Sequence, residues 1–146
     1  MLDFSLSIII CSWNTQDDLR ACLQSIEAQH LSGVETIVVD NNSEDGSPDI
    51  VEAEFQWVVL LRQSKNLGFT GGCNVGLQHR KGRHAMLLNS DTLVHKNAIQ
   101  TLLEFIDANS DVGVVGPKVL NPDGTLQLSC RRFPNPVAAL FRNTPL

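Results

Sequence analysis

The sequence lacks the paired-cysteine spacing of a structural metal site. Its four cysteines, Cys11, Cys22, Cys73 and Cys130, are scattered with no CxxC, and His30, His79 and His84 form no zinc spacing and no HExxH. Zinc chemistry is therefore not indicated. The same scatter predicts four reduced thiols, as in a cytosolic protein. A basic excess is also missing. The formal charge of -5 and a pI of 5.2 argue against a duplex nucleic-acid partner, which calls for a basic face. An anionic ligand would need a metal ion or backbone donors. The apolar run Leu6 to Cys11 falls far short of the roughly 20 residues of a membrane span, and no basic leader region precedes it. With no lipidation motif, repeat or low-complexity tract either, the chain reads as cytoplasmic.

What is present is ordinary in bulk and patterned in detail. With 146 residues, 42% hydrophobic and 18% charged, the chain suits one compact core. "FSLSIIIC" is apolar at nearly every position, the mark of a strand buried on both faces of a parallel sheet. Thr15 and Asp18 have capping-box spacing, and Leu19, Cys22, Leu23 and Ile26 then repeat on one helical face. "ETIVVD" predicts a second strand; Ser47 as a cap with Pro48 opens a short helix carrying Ile50, Val51 and Phe55. "WVVLLR" predicts a third strand. After the glycine-bearing segment "NLGFTGGCNVGLQHR" comes "HAMLLN" as a fourth buried strand, and Ile99, Leu102, Leu103 and Ile106 mark a further helix. "VGVVG" predicts a fifth strand, and Asn121-Pro122-Asp123-Gly124 a hairpin turn. The expected fold class is α/β, a mainly parallel sheet with flanking helices and a C-terminal β-hairpin.

In such sheets ligands bind beyond the carboxyl ends of the strands. Those ends are polar: Ser12, Trp13 and Asn14; Asp40, Asn41, Asn42, Ser43 and Asp45; Lys65 and Asn66; Asn89, Ser90 and Asp91. Each cluster alone reads equally as a turn or a helix cap. Their recurrence at successive strand ends points to a site.

The glycine loops that hold phosphate in common nucleotide folds are absent. The first strand and first helix are joined by Ser12 to Asp18, which has no glycine and places Asp17 and Asp18 where a pyrophosphate would be repelled. No Gly-Lys-Ser/Thr occurs, and Gly68, Gly71, Gly72 and Gly76 do not fit GxGxxG. Those glycines serve either close approach of backbone to a ligand or close helix packing. A phosphorylated ligand is then best neutralised by a divalent cation, with Asp91 as anchor and His95, four residues on, as a weaker candidate.

The segments "SLSIIICSWNTQDDLRACLQSI", "ETIVVDNNSEDGS", "NLGFTGGCNVG" and "MLLNSDT", in this order and spacing, resemble the family 2 glycosyltransferases of GT-A fold, over about residues 5–135. With "GPKVLNPDGTLQLSCRRFP", the wording is most similar to the rhamnosyltransferase branch that builds bacterial surface polysaccharide. The resemblance implies transfer of a sugar from a dTDP- or UDP-linked donor to the hydroxyl of a saccharide or lipid-linked saccharide, usually with inversion, with Mg²⁺ or Mn²⁺ on the diphosphate. It gives Asp91 the metal role and puts Asn89 where the family has an aspartate. It sets Trp13, after Cys11 and before Asn14, near the base. It makes Asp40 and Asn41 the pair of which one bonds the base edge, with Asn42 shaping the loop. It assigns Asn66, Gly68, Gly71, Gly72 and Asn74 to the segment over the sugar nucleotide. The family's general base lies in its second half, so none is nominated here. Residues 1–130 are expected to form the donor-binding domain and residues 131–146 to begin a missing acceptor-side region. A truncated, non-catalytic nucleotide-diphosphate-binding domain is the alternative. Arg131, Arg132, Phe133, Phe141 and Arg142 allow at most a peripheral contact with the inner membrane face.

Overall fold

The structure is a computed structural model that describes residues 4–128. Four strands, β1 (Leu6–Ser12), β2 (Val34–Asp40), β3 (Val59–Arg62) and β4 (His84–Asn89), form one sheet in the order β3-β2-β1-β4. Every pairing is parallel. The helices are α1 (Gln16–Glu27), α2 (Ser47–Glu54), α3 (Gly68–His79) and α4 (Ala98–Ala108). Residues 1–113 form one compact unit that holds all of these elements.

The two central strands are almost wholly buried because helices cover both their faces. Ile8, Ile10 and Val38 pack with Leu19, Leu23 and Ile26 of α1, Ile50 and Val51 of α2, and Ile99 and Leu103 of α4. Each such side chain contributes roughly 1.5–3 kcal/mol relative to exposure. The opposite face, with Ile9, Ile37 and Val39, lies under α3. Four glycines in twelve residues depress helix propensity, which left close helix packing as only one of two readings of this segment. The glycines answer a packing need: a Cβ on Gly76 would overlap Ile9 Cγ2, and one on Gly72 would overlap Cys11 Sγ.

Several expectations are corrected. "HAMLLN" forms a strand, but an edge strand buried on one side only: Leu87 is 51% exposed, and β4 pairs with β1 alone among the described residues. "VGVVG" forms no strand. Val114 is 89% exposed, and two glycines in five residues offer neither side chains to bury nor restricted backbone. Thr15 occupies the N-cap of α1 but makes no side-chain cap bond. Ser47 is the first residue of α2, not its cap; the cap is Gly46, whose φ of 83° suits glycine. Asp45 performs both capping tasks. One oxygen accepts from the Gln16 N–H at the start of α1, the other from the Ser47 N–H at the start of α2, each at 2.9 Å. Burial pushes its carboxyl up, but the Ser47 hydroxyl and these N–H groups outweigh that and hold it below the usual carboxylate range.

Residues from Val114 onward form a second unit. Within it the predicted hairpin is minimal: a bridge between Leu120 and Leu126, closed by the Gly124 N–H donating to the Asn121 carbonyl at 2.9 Å. Cys130 and residues 131–146, including the arginines and phenylalanines considered for a membrane contact, lie outside the described residues.

At the other end of the sheet, Glu35 and Gly82 fasten the α3–β4 turn. Glu35 accepts from Ser7 Oγ and from the Lys81 N–H, and a Cβ on Gly82 would overlap the backbone of Leu6 and Ser7. Gly82→Ala in the turn and Gly76→Ala in α3 are each expected to lower stability by about 1–3 kcal/mol from overpacking, at position 76 although alanine is the better helix former. Gln78→Ala, on the exposed side of α3, should be within about 0.5 kcal/mol of the parent. Urea unfolding of the three variants makes the comparison; equal midpoints for all of them would contradict the close approach.

Candidate functional site

The parallel register sets the strand ends level: Ser12 lies beside Asp40, and Cys11 beside Asn89. Beyond them opens a cleft of about 530 Å³. Seven of the thirteen sequence-predicted residues line it: Cys11 and Trp13 after β1, Asn41 after β2, Asn66 and Gly68 at the entry to α3, and Asn89 and Asp91 after β4. Ser90, already among the polar strand-end residues, also lines it, and three lining residues were missed: Thr15, Asp18 and Phe69. Phe69 stood inside the quoted glycine segment, and its 55% exposure beside Trp13 at 54% gives the cleft two open aromatic faces. A phenylalanine in an otherwise small and polar segment was the available signal.

The other six predicted residues, Asn14, Asp40, Asn42, Gly71, Gly72 and Asn74, do not line the cleft. The Asn14 N–H donates to Ser43 Oγ at 2.9 Å and its Oδ1 accepts from the Glu44 N–H at 2.8 Å, zipping the loops after β1 and β2. Asn14 and Asn42 hold left-handed backbone, φ 51° and 65°, which asparagine tolerates. Gly72 is packed against Cys11 and Asn41, and a Cβ on Gly71 would stand 2.7 Å from Leu67 Cβ.

Asn41, 2% exposed, faces the cleft but is occupied. Its amide donates to the Gly68 carbonyl at 3.0 Å and to Cys11 Sγ at 3.2 Å, while Oδ1 takes a long bond, 3.5 Å, from the Leu67 N–H. It thereby ties the end of β2 to the first turn of α3. Asp40 differs. It is 3% exposed; Oδ2 accepts from the Ser43 N–H at 3.2 Å, and Oδ1 is buried with no partner among the described residues. A buried acceptor left open is costly unless something donates to it.

The thiols are inert by environment. Burial, then the neighbouring Cys73 and Asp40, push the Cys11 thiol up to about 11, and burial pushes Cys22 up to about 12. Both stay protonated near neutral pH. Cys11, Cys22 and Cys73 form no disulfide among the described residues.

Asp18 and Asp91 give the cleft two carboxylates, and no lysine or arginine lines it. Among the described residues no group of three His, Cys, Asp or Glu side chains could hold an ion by itself. This fits a hard divalent ion held by one or two carboxylates and completed by ligand oxygens and water, and does not fit a closed all-protein cage. His95 does not line the cleft. A second, smaller depression of about 380 Å³ lies at the other end of β4, where Arg83 and His84 close on Asp107. It contains none of the predicted residues.

The role of Asn41 is open to a direct test. Asn41→Asp would remove both donated bonds and set a carboxylate against the Gly68 carbonyl and beside Asp40. A loss of about 2–4 kcal/mol on urea unfolding is expected. Parent-like stability with altered ligand affinity would instead make Asn41 a ligand contact.

Comparison with known proteins agrees with this architecture. GlyA, a glycosyltransferase of Streptococcus pneumoniae, is 26% identical over 117 residues, covering 78% of this chain and 17% of the relative. The crystal structure of S. aureus TarS 1-349 in complex with UDP superimposes with a TM-score of 0.68 at 25% identity, over 73% of this chain and 33% of that one. The mannosyltransferase PcManGT of Pyrobaculum calidifontis, in complex with GDP-Man and Mn²⁺, shares the fold with a TM-score of 0.65 at 20% identity, over 71% and 32% of the two chains. The chain spans between 17% and 38% of the length of the first curated relatives it matches. Its sheet and helices are those of a GT-A domain, and because the family model for glycosyl transferase family 2 matches residues 7–141, the chain belongs to that family.

Proposed function

We propose that this chain binds a uridine or thymidine diphosphate sugar at the carboxyl edge of its sheet, as the donor-binding part, residues 1–130, of an inverting, metal-dependent glycosyltransferase. The observation that carries the reading is the composition of the cleft: two exposed aromatic faces and acidic walls without a basic residue. That TarS is described with UDP supports the choice of nucleotide.

In this reading Trp13 lies against the base, an apolar and polarisable surface for a flat ring. Asp40 Oδ1, for which no described residue supplies a donor, accepts from the base N–H. Asn41 does not read the base; it holds Leu67 and Gly68 so that Phe69 and Asn66 keep their places on the wall. Asn66 stiffens that entry, its Oδ1 accepting from the Gly68 N–H at 2.7 Å. Asn89 serves the ribose or a metal-bound water through its amide, and Asp91 holds Mg²⁺ or Mn²⁺. When bound, the ion supplies charge neutralisation to the departing diphosphate, for which the cleft walls offer no cationic side chain. Phosphate affinity should accordingly follow the divalent cation.

The finer assignment is a rhamnosyltransferase of surface polysaccharide synthesis acting on a saccharide or lipid-linked saccharide acceptor, supported by the wording of the glycine-bearing and C-terminal segments. Among the described residues no helix is long and apolar enough to cross a membrane. The alternative reading is a nucleotide-diphosphate-binding domain that does not itself transfer sugar.

Calorimetric titration of UDP and dTDP, with Mn²⁺ and with EDTA, tests the site. Asp91→Asn is expected to weaken binding about tenfold in Mn²⁺, near 1.4 kcal/mol, and less than about twofold in EDTA. Equal affinities in both conditions, for parent and variant, would remove the metal assignment. Sugar transfer by the purified chain would eliminate the binding-only reading.

A further inference from the structure

Three hydroxyls run in a chain from the core to the cleft. Ser12 Oγ, fully buried at the end of β1, lies 2.9 Å from Thr15 Oγ1. Thr15 Oγ1 donates to Ser90 Oγ at 3.1 Å. Ser90, itself 7% exposed, immediately precedes Asp91 and lines the cleft with it.

Hydrogen counting gives this chain a direction. A threonine hydroxyl has one hydrogen. With that hydrogen on Ser90, Thr15 accepts from Ser12, whose hydroxyl has no other partner among the described residues. Ser90 then accepts from Thr15 and keeps its own hydrogen, for which no described residue supplies an acceptor. Donation runs outward, and its last hydrogen belongs to a side chain on the cleft wall.

The position of Thr15 also needs an explanation that helix capping does not give. An N-cap threonine ordinarily spends its oxygen on the first turn of its helix. Here Thr15 makes no cap bond, and its hydroxyl instead bridges the ends of β1 and β4. A β-branched side chain is stiff at χ1, which suits such a bridge.

We propose that Ser90 donates its hydroxyl hydrogen to a phosphate oxygen of the bound nucleoside diphosphate, and that Thr15 is the positioning residue that holds it there. The assignment rests on the nucleotide-binding reading above and extends it. It gives the wall beside Asp91 a neutral donor, in a cleft whose Asn41 amide is already committed and whose carboxylates repel phosphate.

The test uses the full chain in saturating Mn²⁺, with UDP or dTDP, whichever the parent prefers, followed by calorimetry and the matching nucleoside followed by NMR. Ser90→Ala is expected to weaken the diphosphate about tenfold, as for loss of a hydrogen bond to a charged group, and to leave the nucleoside within about twofold. Thr15→Val should reproduce that pattern, and Thr15→Ser should restore diphosphate affinity to within about threefold of the parent. Thermal melting of each variant reports whether it is folded, and Ser90→Ala decides the matter if Thr15→Val is not. Parent-like diphosphate affinity in Ser90→Ala would overturn the proposal, as would equal losses for diphosphate and nucleoside, or a Thr15→Ser as weak as Thr15→Val. A parent that binds neither UDP nor dTDP overturns the nucleotide-binding reading and this inference with it; a binding parent with an unaffected Ser90→Ala overturns this inference alone.

Discussion

Parallel pairing in one register is the constraint on which the cleft depends. Because β1, β2 and β4 run the same way, with Ser12 beside Asp40 and Cys11 beside Asn89, their carboxyl ends reach one edge together. A one-residue slip of β1 would turn Ile8 and Ile10 from α1 toward α3 and carry Cys11 away from Gly72. The packing that fixes the register is specific: Gly76 against Ile9, Gly72 against Cys11, and Gly82 against Leu6 and Ser7. Core and site are thus decided by the same contacts.

Register alone would leave loose loops at that edge, and short polar ties hold them. Asp45 caps α1 and α2 together, Asn14 joins the loops after β1 and β2, Asn41 fastens α3 to β2, and Thr15 joins the loops after β1 and β4. Each tie uses a small polar side chain with one or two committed atoms. Asp40 Oδ1 and the Ser90 hydrogen are left over, and both belong to buried residues. Unspent hydrogen-bonding capacity in an otherwise satisfied edge is what directs attention to a ligand.

Much of this was legible in the sequence. Continuous apolar runs gave β1 and β2, and the i, i+3, i+4, i+7 spacing gave α1 with its four buried residues Leu19, Cys22, Leu23 and Ile26. The strand-end argument placed Asp91, Asn89, Trp13 and Asn41 on one cleft. Other features were not legible, for identifiable reasons. The glycines of α3 stayed open between ligand approach and helix packing because propensity is local, whereas the close approach to Ile9 and Cys11 is tertiary. The half-exposure of β4 depends on its place at the sheet edge, which composition does not reveal. Capping by Thr15 and Ser47 was the local expectation. Asp45, distant in sequence from Gln16 but adjacent in space, displaced it.

In the function proposed above, Asp91 anchors a divalent cation only in company with a nucleoside diphosphate. Substoichiometric Mn²⁺ added to the ¹⁵N-labelled chain with UDP tests it most directly through paramagnetic loss of amide signals. Asn89, Ser90 and Asp91 should fade first, and only once the nucleotide is present. First losses at Asp49 and Glu52, or at Asp107, which already pair with arginines at the surface, or losses at Asp91 indifferent to UDP, would contradict the account.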